Sequence, residues 1–217
     1  MLNKYLQQVY RLLNDQSQTN YNFDDLIGYI NEGRSQIASA SQSIRLLSLN
    51  STVTGQEIYP FSALVIPPSA GYGQVVAVKG ISIIWGNFRY TLQKLSFSKY
   101  QALIRAYADS YQDVPKASAQ FGQGVNGSIY MYPPPSDVYP MEWDCICLPA
   151  DLATDSDPEL IPYPWTDAVQ YYAAAKAMEA TGRYDVADRY NGQFSKYIKQ
   201  ARTVSQPNSV VNWYGRA

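Results

Sequence analysis

Histidine is absent from this chain of 217 residues. Without an imidazole there is no Ser-His or Cys-His nucleophile pair and no histidine-ligated metal. Charge is scarce as well: Asp, Glu, Lys and Arg make up 16% of the residues, against about 25% in an ordinary soluble domain. The net charge of -1 supplies no sequence-independent pull toward nucleic acid or toward an anionic membrane. Cysteine occurs only as Cys145 and Cys147. Side chains two apart on a strand share a face but splay too far for an unstrained disulfide, and two thiolates alone do not complete a zinc site. They read as buried apolar thiols of a protein made in a reducing cytoplasm. No apolar run approaches the length of a membrane span, and the amphipathic start Met1–Asp15 lacks the long apolar core of a signal peptide. These absences predict a soluble protein made without export and with no membrane partner.

What is abundant is tyrosine, with 20 copies in a chain that is 46% apolar. The apolar content is enough for a real core in one domain or two small ones. A surface rich in Tyr, Gln, Asn and Ser suits contact with other proteins, since Tyr offers large, stiff contact area with a polar tip.

The apolar period changes twice along the chain. Leu2, Tyr5, Leu6, Val9, Leu12 and Leu13 recur at threes and fours, which predicts a helix over Leu2–Leu13. Asn22 is a suitable N-cap for a second helix, with Asp24 and Asp25 in its first turn and Phe23, Leu26, Ile27, Ile30 and Ile37 on one stripe. It fades near Ala40, and the two helices read as an antiparallel hairpin. From about Ser51 the pattern alternates. Val75, Val76, Val78, Ile81, Ile83 and Ile84 form one run, Gly86-Asn87 a hairpin turn, and Phe88–Leu95 the returning strand. A short helix is expected over Ser98–Ala108 with Ser98 as its cap, then strands over Ala117–Phe121, Ser128–Tyr132 and Val138–Leu148. The helical period returns after Pro164, over Trp165–Thr181 with Gly182 as the stop, and again over Tyr184–Val204. The expected fold class is therefore α+β. Residues 1–50 and 149–205 form a helical bundle, residues 51–148 an inserted antiparallel β domain with one short helix, and residues 206–217 an extended C-terminal tail.

Candidate chemistry is thin. Asp151, Asp155, Asp157 and Glu159 suggest a cation loop, but Pro158 interrupts the run and the glycine of an EF-hand turn is missing, so a solvated acidic loop is expected. Gly122, Gly124 and Gly127 join two strands and not a strand to a helix, so they read as a hairpin turn and not a phosphate cradle. Glu142 and Asp144 share one strand face while Tyr139, Met141, Trp143 and Cys145 share the other, which makes the carboxylates the solvent face of a sheet. Arg183, Arg189, Lys196, Lys199 and Arg202 bias the last helix toward the basic side, partly offset by Asp185 and Asp188. No catalytic, cofactor-binding or metal-ligating set is expected. The tail is different. Pro207 stops the last helix, and Val210, Val211, Trp213, Tyr214 and Arg216 then offer apolar anchors and a forked donor for docking on a partner.

Several stretches, in order, resemble the head-to-tail adaptor proteins of short-tailed and related bacteriophages, the connector or tubular-tail-A-like, head-completion family. They are Tyr29–Arg34 with its Tyr-Ile-Asn-Glu start, Phe97–Tyr100, Ile129–Tyr139 with its proline turn, Leu148–Leu152 and Ile161–Ala168. Gly33 departs from the helix formers usual at its place. The resemblance implies a virion protein of the neck that assembles as a twelve-fold ring below the portal. It also implies contact with the portal and with the tail nozzle or another tail protein, enclosure of DNA without reading its sequence, and no cofactor. The alternatives are another neck ring of the tail-terminator type, a glycan-binding or glycan-cleaving β module of a virion, and a DNA-binding helical protein.

Overall fold

A computed structural model describes residues 1–67, 70–105 and 111–205. Among them are five α-helices: α1 (Leu2–Leu13), α2 (Phe23–Ser41), α3 (Phe97–Arg105), α4 (Thr166–Ala180) and α5 (Tyr184–Ser205). Eight strands accompany them: β1 (Arg45–Ser51), β2 (Ile58–Pro60), β3 (Tyr72–Trp85), β4 (Phe88–Thr91), β5 (Gln93–Leu95), β6 (Ala117–Phe121), β7 (Ser128–Tyr132) and β8 (Pro140–Pro149). The class is α+β, as expected. The chain forms two compact units, Met1–Ser43 with the described residues from Asp151 onward, and Ile44–Ala150.

The first unit holds α1, α2, α4 and α5. The apolar stripe of α1 is buried apart from half-buried Leu12, and Asn14 closes the helix in the left-handed conformation (φ 55°). The Asn22 side chain caps α2 by accepting the Asp24 N–H at 3.0 Å, one of the donors a helix start leaves unpaired. The expected α1–α2 hairpin takes a different form: the two helices share little surface, and each packs on α4. The reason is the composition of α4. Ala168, Ala173, Ala174, Ala175 and Ala177 are at most 1% exposed, so small side chains let neighbours approach from several sides at once. A stop of the Schellman type ends α4, with Gly182 at φ 74°, its N–H on the Glu179 carbonyl and the Arg183 N–H on the Met178 carbonyl. Gly33 has its reason here. A Cβ at that position would stand 3.0 Å from Tyr172 Cδ1, so the glycine lets α2 and α4 come close.

The second unit has two four-stranded sheets, ordered β1-β8-β3-β4 and β2-β7-β6-β5. Strand β8 lies between β1 and β3, antiparallel to both. Met141, Trp143 and Cys145 alternate into the core, where Trp143 meets the Tyr59 ring edge-on at 6.3 Å between centroids. Irregular register between Tyr72 and Gly80 explains why Val75, Val78, Ile81 and Ile83 are buried at uneven spacing.

Three local expectations are corrected. Residues 45–50 of the expected helical segment 1–50 belong to an edge strand, Arg45–Ser51, because its partner lies about a hundred residues away in β8. The returning strand Phe88–Leu95 is split. At buried Leu92, whose N–H reaches the Ile81 carbonyl, the chain leaves β3, and Gln93–Leu95 pairs in parallel with β6 in the other sheet. The α3 cap is Ser96 and not Ser98. Its Oγ accepts the Lys99 N–H at 3.4 Å and its carbonyl the Tyr100 N–H at 3.0 Å. The expected end of this helix at Ala108 lies outside the described residues.

Candidate functional site

Glu142 and Asp144 project from the outer face of β8, yet each is matched by a guanidinium on another strand, Glu142 by Arg89 of β4 and Asp144 by Arg45 of β1. Opposite charges facing each other across a sheet are a stabilising pair and not a poised acid and base. Cys145 and Cys147 are free, buried thiols. Burial pushes Cys145 up to about 12 and Cys147 up to about 11, so neither is an ionised nucleophile near neutral pH. Gly122 and Gly124 adopt positive φ in the turn from β6 to β7, which needs their backbone freedom. Among the described residues, no group of three or more acidic or cysteine side chains is placed to hold a metal. No helix among them is long and apolar enough to cross a membrane.

The acidic loop is exposed at Asp151 and Asp155, as expected, and departs from expectation at Glu159. Asp155 accepts the N-terminal ammonium of Met1 at 2.6 Å and the Asn3 N–H at 3.0 Å. Asp157 accepts the Ala153 and Thr154 N–H groups. Glu159 is largely withdrawn from solvent. Its side chain is 7% exposed and pairs with Arg34, whose side chain is 0% exposed. The geometry is a fork, Arg34 Nε to Oε2 at 2.9 Å and Nη2 to Oε1 at 3.2 Å. The Tyr5 hydroxyl and the Ile161 N–H donate to the same carboxylate. Asn31 accepts from Arg34 Nη1 and exchanges two bonds with the Leu152 backbone. Burial and the Glu159 carboxylate push the Tyr5 phenol well above its ordinary value. This network clamps α1, α2 and the segment leading to α4 around one desolvated charge pair. It has structural importance and no open position for a substrate.

What remains open is apolar surface. Trp85 and Phe88 face each other across the β3–β4 hairpin on either side of Gly86-Asn87, and they are 55% and 72% exposed. Behind them runs an open groove of about 590 Å³ lined by Trp85, Phe88, Tyr90, Asp113, Val114 and Lys116. Asp113 and Lys116 pair at 2.9 Å, and the Lys116 ammonium with the Val114 N–H and the Tyr111 hydroxyl holds the Asp113 carboxyl down to about 2. A second patch lies on the outer face of edge strand β1, where Leu47 and Leu49 stand beside Asp144 and Glu142. The hairpin was legible in the sequence, but its exposed aromatic tip was not among the expected sites. The signal was present, since aromatics next to a two-residue turn lie at the end of a sheet, where no neighbouring strand covers them. The candidate docking residues Val210, Val211, Trp213, Tyr214 and Arg216 lie outside the described residues.

The described surface thus combines exposed apolar patches with charged groups that are paired or capped. A family model of the SU10 adaptor protein matches residues 4–212. The chain belongs to that family, a family of bacteriophage head-to-tail adaptors, and is a structural adaptor protein of the virion. A direct comparison with curated proteins gives no match.

Proposed function

We propose that the chain is one subunit of a closed ring, twelve-fold as the family resemblance implies, that sits below the portal. In this reading it joins the capsid vertex to the tail nozzle and encloses the DNA without reading its sequence. The observation that carries this reading is the adaptor family match across residues 4–212. Two further features support it. Exposed Trp85 and Phe88 are residues of the kind that anchor protein interfaces, and the near-neutral chain has no broad electrostatic grip on DNA. Ring closure needs two different surfaces per subunit, each contact burying upward of about 1,000 Å² to be stable. The tail from Gln206 docks on the portal or on a neighbouring subunit through Val210, Val211, Trp213 and Tyr214, with Arg216 bonding a carboxylate or carbonyl.

The test is the native mass of the full chain, alone and mixed with portal, beside a chain ending at Ser205. The full chain is expected to join the portal in many copies, and the shortened chain to stay folded but unattached. A compact two-fold dimer as the only assembled form would overturn the ring. Undiminished attachment of the shortened chain would overturn the role of the tail.

A further inference from the structure

Two helices of the first unit carry a glycine on the side facing away from the core. In α2 the buried residues Leu26, Ile30, Gly33, Arg34 and Ile37 define the inner face, and Asp25, Gly28 and Glu32 lie opposite, all exposed. In α5 the inner face runs through Ala187, Phe194 and Ala201, and Arg189, Gly192 and Lys196 lie opposite, again all exposed. A Cβ at Gly28 or at Gly192 would meet nothing within 4 Å. Nothing inside the subunit therefore requires either glycine, although glycine is the second-worst residue for a helix interior.

The neighbours of the two glycines match. Asp25-x-x-Gly28-x-x-x-Glu32 on α2 and Arg189-x-x-Gly192-x-x-x-Lys196 on α5 have the same spacing and opposite charge. Charges three residues before and four after a glycine sit on one stripe, roughly 10 Å apart along the axis. If the helices cross at their glycines, every carboxylate meets a cation in either relative direction. Small residues at a crossing let two helices approach closely, so the glycines supply contact and the flanking charges supply register. Among the described residues none of the four charged groups is in an ion pair. Glu32 accepts the Tyr172 hydroxyl, and Lys196 reaches the Gln193 amide oxygen at 3.5 Å.

We propose that the outer face of α2 in one copy docks on the outer face of α5 in the next, glycine against glycine, with Asp25 and Glu32 paired to Arg189 and Lys196. The inference rests on the ring reading and names the two surfaces that reading requires. An α2-to-α5 contact is heterologous, so it leaves one of each surface free to continue around a ring.

Charge reversal tests it in phage particles. One variant carries Asp25→Lys and Glu32→Lys, and a second carries Arg189→Glu and Lys196→Glu. Copies of the chain per particle are counted by quantitative mass spectrometry, and a thermal melt of each purified chain checks folding. Either variant alone places like charges at every junction, and its incorporation is expected to fall about tenfold or more. The two variants supplied together restore opposite charges at every junction of an alternating ring, and one chain with all four changes does the same. Both are expected to recover wild-type copy number. A single variant incorporated as well as wild type would overturn the docking but leave the ring standing. So would normally melting variants whose mixture fails to recover. One copy per particle of the wild-type chain would overturn the ring, and this inference with it.

Discussion

The buried Arg34–Glu159 pair gives the bundle a measurable dependence on a single carboxylate. Removing it with Glu159→Ala takes the carboxylate from a guanidinium whose side chain is 0% exposed, and it leaves the Tyr5 hydroxyl and the Ile161 N–H without the acceptor they use at 2.9 Å. Breaking one side of a buried ion pair costs about 3–5 kcal/mol, because the remaining charge keeps its desolvation penalty. That is a large part of the roughly 5–15 kcal/mol by which a domain is stable. Glu159→Gln keeps the shape and one acceptor oxygen, so its cost should be smaller, about 1.5–3 kcal/mol for lost bonds to a charged partner. Arg34→Met should couple to Glu159→Ala, the double change costing less than the sum by about 0.5–3 kcal/mol. The assay is urea unfolding followed by far-ultraviolet circular dichroism at the helix band. A loss below about 1 kcal/mol for Glu159→Ala, or strict additivity with Arg34→Met, would refute the clamp.

Three further outcomes follow from particular residues. Gly28→Ala should stabilise by about 0.5–1 kcal/mol, having free space, whereas Gly33→Ala should destabilise by about 1–3 kcal/mol by pressing on Tyr172; equal signs in urea melts would contradict the packing described. The folded state holds Cys145 and Cys147 neutral, up to about 12 and about 11, while unfolded thiols ionise near 9.0. Their contribution is therefore full below that value and is lost as pH rises through the folded values. Stability of the wild-type chain should fall more steeply above about pH 9 than that of Cys145→Val/Cys147→Val, and native alkylation at the rate of a free thiol would show the burial to be wrong. Trp85→Ala/Phe88→Ala should change stability by no more than about 0.5 kcal/mol, because both side chains are largely exposed. The same change should weaken attachment of the tail partner to filled heads, and normal tail content per head would remove the hairpin tip from the interface.

Features that depend on near neighbours were legible in the sequence. The bounds of α1, the Asn22 cap, the Gly182 stop, and strands β6 and β7 follow from period, capping chemistry and turn residues within a few positions. The α+β class follows from the same two changes of period. Features that depend on distant partners were not legible. Arg45–Ser51 is a strand because β8 pairs with it, and no feature of Arg-Leu-Leu-Ser-Leu-Asn-Ser announces that partner. Leu92 divides a continuous-looking strand because two sheets compete for its neighbours. Glu159 reads as one more carboxylate in an acidic loop until folding sets it against Arg34, 125 residues away. Gly33 reads as a weak point until Tyr172 arrives beside it. Local sequence fixes backbone preference through sterics and hydrogen bonding over a few residues, and that sufficed for elements and class. Which polar groups lose their water, and which apolar ones keep it, is decided only when segments far apart in the chain are packed together.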